Sequence, residues 1–319
     1  YNTDYFGFTY LVHKAGFDVA SGKILVLGSG GASVTVCAAL EDLGAMEVIV
    51  ISRSGVNNYT NIDTLHSDAR YIVNTTPVGM YPKNGASPVD LKQFPHCAGV
   101  IDLIYNPSAT KLLLDAENAG ITAVNGLSML TAQAKQSCEI FTGERLDDAV
   151  IEKITGEIES TTKNVILIGM PGCGKSTVGE LLSKKLCRPF IDIDDKIKER
   201  IHMTICDFFK AYGEEAFRKI ETDVLAEYAK LSGQIIATGG GIVTVSDNLP
   251  LMKQNGTIVM LNRPLHELPI TGRPISMSCD LARLEKDRLP IYNAWKDISV
   301  KSGDPEDTVR SIIERLNLQ

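Results

Sequence analysis

The sequence predicts an α/β protein made of two parallel-sheet domains, and three observations predict it. Runs of β-forming residues alternate with helical patterns along the chain. Two of these runs pass directly into glycine-rich turns followed by helices, one at Gly28 and one at Gly169. A short polar stretch, 159–163, separates a first domain over residues 1–158 from a second over 164–319, each long enough to bury its own core.

In the first domain a strand over 24–27 enters the turn Gly28-Ser29-Gly30-Gly31-Ala32, and a helix follows over Val34–Leu43. A second strand over 47–51 ends in Ser52-Arg53-Ser54. Together they form a βαβ dinucleotide-binding unit of roughly 30 residues. An NAD site places Asp or Glu after that second strand to hold the ribose hydroxyls, whereas Arg53 between two serines suits a 2′-phosphate and therefore NADP. The plain alternative for Arg53 is a solvent-facing turn. Further strands are predicted over 71–74 and 99–104, and an amphipathic helix over Glu144–Ile158 closes the domain.

The second domain opens with a strand over 165–168 and the spacing G-x-x-x-x-G-K-[ST] from Gly169 to Ser176. A helix over Val178–Leu186 completes the strand, turn and helix that a P-loop requires. Glycines at 172 and 174 let backbone N–H groups approach a triphosphate closely, and the helix dipole favours the anion. Lys175 brings a point charge to the phosphates, and the Ser176 hydroxyl is a ligand for magnesium, Mg2+. A strand over 190–193 carries Asp192 and Asp194 to the phosphate crevice. Arg218 and Glu221 share one helical face at i,i+3. The strand over 234–238 closes on Gly239-Gly240-Gly241, which permits close backbone approach to a ligand. After a strand over 257–261, Arg273 and Arg288 bracket a short polar segment.

In this order the second-domain signals resemble shikimate kinase across residues 163–319. The resemblance implies transfer of phosphate from ATP to shikimate in a three-layer α/β/α P-loop domain. It gives ATP contacts to Gly172, Cys173, Gly174, Lys175, Ser176, Thr177 and Arg273. Arg218 and Arg288 would clamp the shikimate carboxylate, with Gly239, Gly240 and Gly241 offering backbone N–H groups. Asp194 would hold the ring hydroxyls and assist loss of the proton from the attacking one. Asp192 and Ser176 would hold the metal, and Arg273 would close on a lid over the transferring phosphoryl group. One departure stands out: the family's arginine that packs on adenine is missing, and His266 occupies that region, either stacking on adenine or simply facing solvent. The stretch from Arg273 to Arg288 is also shorter than is usual.

The first domain has its own resemblance. Asn2-Thr-Asp4, Asn74-Thr-Thr-Pro-Val-Gly-Met80, Asp102-Leu-Ile-Tyr-Asn-Pro107 and Asn125-Gly-Leu-Ser-Met-Leu-Thr-Ala-Gln133 resemble the carboxyl-terminal, Rossmann-type part of shikimate dehydrogenase. By that resemblance Gly28, Ser29, Gly30, Gly31 and Ala32 cradle the NADP pyrophosphate. Ser52 and Arg53 read the ribose phosphate, and Leu103 and Gly126 line the nicotinamide pocket. Asp4, Tyr105 and Gln133 would face shikimate, with Asp4 as half of a catalytic pair. The other half is a lysine on an amino-terminal substrate domain that these 319 residues do not include. The expectation is a piece of a bifunctional enzyme in which this part alone binds NADP without reducing substrate. A small-metabolite kinase of other specificity, joined to a non-catalytic NADP-binding sensor or scaffold, is the rival expectation.

Composition narrows the class. With 32 Lys+Arg against 39 Asp+Glu there is no basic excess to attract nucleic acid. No run reaches the roughly 18 apolar residues of a membrane span. Seven cysteines without a C-x-x-C spacing read as reduced thiols, so the expected setting is cytoplasmic.

Overall fold

The computed structural model describes residues 2–267 and 281–318. The chain divides into two compact units, Tyr1–Ile158 and Glu159–Gln319. Each contains a five-stranded sheet in which every strand pair is parallel.

In the first unit the strands are β1 (Lys23–Leu27), β2 (Glu47–Ile51), β3 (Tyr71–Asn74), β4 (Gly99–Asp102) and β5 (Thr122–Asn125), in the order β2-β1-β3-β4-β5. Side chains alternate between the two faces, and both faces are buried. Leu25, Leu27, Ile72 and Val100 enter one apolar cluster with Leu112 and Leu113. Their neighbours Ile24, Val26, Val73 and Ile101 enter another with Phe8, Leu11 and Val36. Helices α1 (Thr3–Ala15), α2 (Gly31–Asp42), α3 (Ile62–His66), α4 (Lys111–Asn118) and α5 (Leu127–Thr142) connect and cover the strands. The order reverses at β1, so the crevice beyond the carboxyl ends of β1 and β3 is where a ligand fits.

Helix α6 spans Ala149–Thr162, which moves both boundaries read from the sequence. Residues 144–148 precede it because the Asp147 carboxylate accepts the Ala149 N–H at 2.9 Å and so caps the helix. Residues 159–162 of the polar connector are its last turn, since neither Gly nor Pro interrupts them.

The second unit contains β6 (Asn164–Ile168), α7 (Lys175–Leu186), β7 (Phe190–Asp192), α8 (Ile193–Ile201), α9 (Ile205–Ala229) and β8 (Ile235–Ala237). These are followed by α10 (Asn248–Lys253), β9 (Gly256–Asn262), α11 (Leu281–Trp295), β10 (Ile298–Lys301) and α12 (Pro305–Leu316). The strand order is β10-β9-β6-β8-β7. All five residues of β6 are buried, which fits a central strand covered on both faces. It is also the point at which the order reverses, so the loop after β6 sits at the ligand crevice.

Two strands carry no clear signal in the sequence. Both β5 and β10 have four residues and pair on one side only, with β4 and β9. Thr122 and Val124, and Ile298 and Val300, suit a strand, but four residues make too short a run to stand out without the neighbouring strand. Among the described residues no helix is long and apolar enough to cross a membrane.

Candidate active sites

The second unit builds its site around the loop after β6. Gly174 takes a left-handed conformation (φ 97°, ψ 15°) and caps α7, which begins with Lys175, Ser176 and Thr177. The first N–H groups of a helix lack intrahelical acceptors, so this end attracts an anion. Gly172 is buried beside it. Cys173 lies between these two glycines. Its side chain is fully buried in the core, and its N–H already reaches the Met170 carbonyl at 3.2 Å. The Lys175 ammonium is folded back, donating to the carbonyls of Gly169 (2.8 Å) and Met170 (3.1 Å). Cys173 Sγ lies 3.8 Å away, so the acceptors described around the ammonium are neutral, and a charge-assisted bond to a phosphate oxygen outcompetes them.

Asp192 ends β7 and performs two tasks. Its Oδ1 accepts the N–H groups of Asp194 (3.0 Å) and Asp195 (3.4 Å), which caps α8. Its Oδ2 accepts the Ser176 hydroxyl at 2.5 Å. That cap starts a helix immediately, so Asp194 lies in the first turn of α8 and not at the end of a strand. Ser176 and Asp192 together present the hard oxygen donors that suit magnesium.

Arg218 and Glu221 sit on α9, and both are buried. Arg218 Nη1 donates to Glu221 Oε2 at 2.6 Å. Its Nη2 reaches Glu214 Oε1 at 3.0 Å, one turn earlier in the helix and just past the break at Gly213 (φ 81°, ψ 176°). Burial pushes the Glu221 carboxyl up to about 7; Arg218 pulls against that, Asp194 adds to it, and Arg288 opposes it. From α11, Arg288 Nη1 donates to the Gly240 carbonyl at 3.1 Å, and the Tyr292 hydroxyl donates to the same oxygen.

The three glycines after β8 are required by close approach. A Cβ on Gly239 would lie 2.7 Å from Glu221 Oε1 and 2.9 Å from Asp194 Oδ1. One on Gly241 would collide with the Arg218 guanidinium. The result is a cavity of about 460 Å³ lined by Lys175, Ser176, Asp192, Asp194, Arg218 and Arg288, with the glycine turn as one wall.

Arg273 lies outside the described residues. His266 is in a short turn with its side chain 81 % exposed, 3.8 Å from a Glu267 carboxylate oxygen. Three residues near the site escaped sequence reading. Glu214 carried a usable signal, since it precedes Arg218 by one helical turn. Tyr292 and Ser302 carried none. The Ser302 hydroxyl, just past β10, donates to the Cys173 carbonyl at 2.6 Å and ties down the phosphate loop.

In the first unit, the turn after β1 begins at Gly28 (φ 107°), where a Cβ would lie 2.8 Å from Thr75 Oγ1. Ser29, Gly30, Gly31 and Ala32 are exposed, and α2 starts at Gly31. A Cβ at Gly30 or Gly31 would meet nothing within 4 Å, so open space lies over this helix end. The Ser52 N–H bonds to the Asn57 carbonyl at 3.1 Å, and Arg53 is exposed beside it. Leu103 and Gly126 touch directly: a Cβ on Gly126 would overlap the Leu103 carbonyl.

A buried polar network holds these loops together. Asp102 Oδ1 accepts from Asn74 Nδ2 (3.0 Å) and the Ile104 N–H (3.1 Å), while its Oδ2 accepts the Thr110 hydroxyl at 2.6 Å. Burial raises the Asp102 carboxyl to about 6 in spite of those bonds. Asp4 is exposed in the first turn of α1, one turn before Gly7. A Cβ on Gly7 would lie 3.3 Å from Gln133 Cβ, so Asp4 and Gln133 belong to packed helices. Gln133 Oε1 is buried without a hydrogen-bond partner among the described residues. Tyr105 is 47 % exposed in the loop after β4, and no described contact joins it to Asp4.

Comparison with known proteins divides along the same two units. The family model for shikimate kinase matches residues 171–317. A shikimate kinase of Clostridium botulinum is 39% identical over 155 residues, which is 46% of this chain and 93% of that protein. The first half matches shikimate dehydrogenases (NADP(+)). That of Clostridium perfringens is 33% identical over 172 residues, and that of Caldanaerobacter subterraneus is 39% identical over 178. Each alignment takes in 50% of this chain and 63% of the relative, so the chain spans less than two thirds of those dehydrogenases. A kinase of other specificity is not favoured by these relatives.

Proposed function

Through its second half the chain belongs to the shikimate kinase family, and from that membership we propose how the cavity phosphorylates shikimate with ATP. One observation carries the reading: Arg218 and Arg288 meet at the Gly239–Gly241 turn, in the same cavity as Lys175 of the phosphate loop. Two guanidiniums in a partly dry pocket recognise one carboxylate, and the fork of each matches its geometry. Across the cavity the α7 N-terminus and Lys175 hold the phosphates. Asp194 lies between, where it accepts hydrogen bonds from ring hydroxyls and takes the proton of the attacking one. Arg273 would neutralise charge on the transferring group. Magnesium would supply positive charge to offset that of the phosphates there. Ser176 and Asp192 are the residues we assign to it, the aspartate through water.

Asp192→Asn tests that assignment cleanly. Asparagine caps a helix as well as aspartate does, so α8 keeps its start. The charge facing Ser176 is lost. The magnesium concentration needed for half-maximal turnover should rise about tenfold or more, the range seen when outer metal partners are removed, with the shikimate KM little changed. An unchanged magnesium titration would leave Asp192 as a helix cap alone.

For the first half we infer NADP binding at the exposed α2 N-terminus, as part of a dehydrogenase acting on shikimate. The space over Gly30 and Gly31 and the cradle at Gly28 fit a pyrophosphate. Arg53 reads the 2′-phosphate, Leu103 and Gly126 face the nicotinamide ring, and the orphaned Gln133 amide oxygen awaits a ligand hydroxyl. Bound NADP supplies the hydride acceptor for shikimate oxidation. Asp4, Tyr105 and Gln133 orient the sugar-like acid, with Asp4 moving the proton. Direct titration with both dinucleotides checks the cofactor. NADP should bind at least tenfold more tightly than NAD, and Arg53→Ala should remove most of the difference. Equal affinities in the unaltered chain would make Arg53 a surface residue.

A further inference from the structure

We propose that Glu221 takes up a proton from solvent as the acceptor's carboxylate enters between Arg218 and Arg288. The inference rests on those two arginines being the carboxylate clamp. Glu221 is 1% exposed, so neither charge state is helped by water. Its Oε2 is held by Arg218, while its Oε1 faces Asp194 across Gly239, where not even a methyl group fits between them. The groups facing it are therefore Arg218 on its own helix, Asp194 on α8 and Arg288 on α11. Glu214, mostly solvated, lies on the far edge of Arg218, and Tyr292 reaches the turn from α11.

The charge count explains the direction. Among the described residues at this end of the cavity, Arg218 and Arg288 face Asp194 and Glu221, with Glu214 at the margin, while Lys175 and Asp192 line the phosphate end. A substrate carboxylate adds another anion and draws on the same guanidiniums that keep Glu221 ionised. It also displaces water from the pocket, which strengthens every like-charge contact. Since burial already pushes the Glu221 carboxyl up to about 7, a moderate further rise favours its protonated form. The neutral carboxyl then keeps one acceptor oxygen for Arg218 and gains a donor.

Isothermal titration of the chain with shikimate, without ATP, in buffers of different ionisation enthalpy reads the proton directly. At pH 7.5 the slope of observed heat against buffer heat should correspond to uptake of roughly half a proton per shikimate. It should fall toward zero below about pH 5.5 and above about pH 9.5, where Glu221 has the same charge before and after binding. Glu221→Gln, which keeps an acceptor for Arg218, should still bind shikimate with a slope near zero. A zero slope in the unaltered chain, or the same slope in Glu221→Gln, overturns the proposal. If the variant does not fold, the pH profile decides alone, and a flat profile overturns it. Absence of any shikimate binding would instead remove the clamp on which the proposal rests.

Discussion

Arg218→Ala and Arg288→Ala should each lower kcat/KM for shikimate by about 30- to 3,000-fold and leave ATP affinity nearly unchanged. Truncating one partner of a buried, hydrogen-bonded charge pair costs roughly 2–5 kcal/mol, and each 1.4 kcal/mol is about tenfold. The two arginines are not equivalent. Arg218 is the counter-ion of Glu221, so its loss leaves a buried carboxylate unpaired, which then takes a proton. Arg288 braces the glycine turn through the Gly240 carbonyl, so its removal loosens the wall of the cavity as well. Arg218→Lys separates charge from geometry. The ammonium keeps the charge but cannot offer a fork, and activity should recover only in part. Steady-state kinetics with ATP and shikimate varied in turn check all three. A variant that loses ATP binding while keeping its shikimate KM would show that these arginines serve the nucleotide.

Lys175→Ala should reduce kcat by about 100- to 1,000-fold or more, the range for removing one preorganised donor to developing charge. Shikimate binding, measured by titration, should persist because Lys175 sits at the phosphate end of the cavity. Its ammonium also closes the loop onto Gly169 and Met170. Some loss of stability should therefore accompany the change, and thermal unfolding with and without ATP distinguishes it from lost catalysis. Retained turnover would mean that the phosphates lie elsewhere in the cavity.

The legibility of this chain varied with the range of the interaction. The strands over 71–74 and 164–168 are continuous β-forming runs, buried on both faces, and composition alone marks them. The glycine turns at Gly28 and Gly174 were legible because both take a positive φ, which glycine adopts without strain. Strands β5 and β10 were not, since four residues at a sheet edge make too short a run to mark a strand, even with Thr122, Val124, Ile298 and Val300 suited to one. The start of α8 escaped for a related reason: the Asp192 cap, a single side-chain contact, changes Asp194 from strand to helix.

By itself the sequence determined the α/β class, the two glycine-turn units, the phosphate loop and the identity of the basic and acidic residues around it. These follow from local chemistry, in which residue type and spacing fix backbone conformation and available charge. Only the tertiary structure decided which of those groups meet. Asp194 faces Glu221 across Gly239, Ser302 ties the phosphate loop from a distant strand end, and Asp102 joins Asn74 to Thr110. The last two join segments far apart in the chain, and all depend on burial. Burial sets the cost of a charge, and no local pattern of residues encodes it.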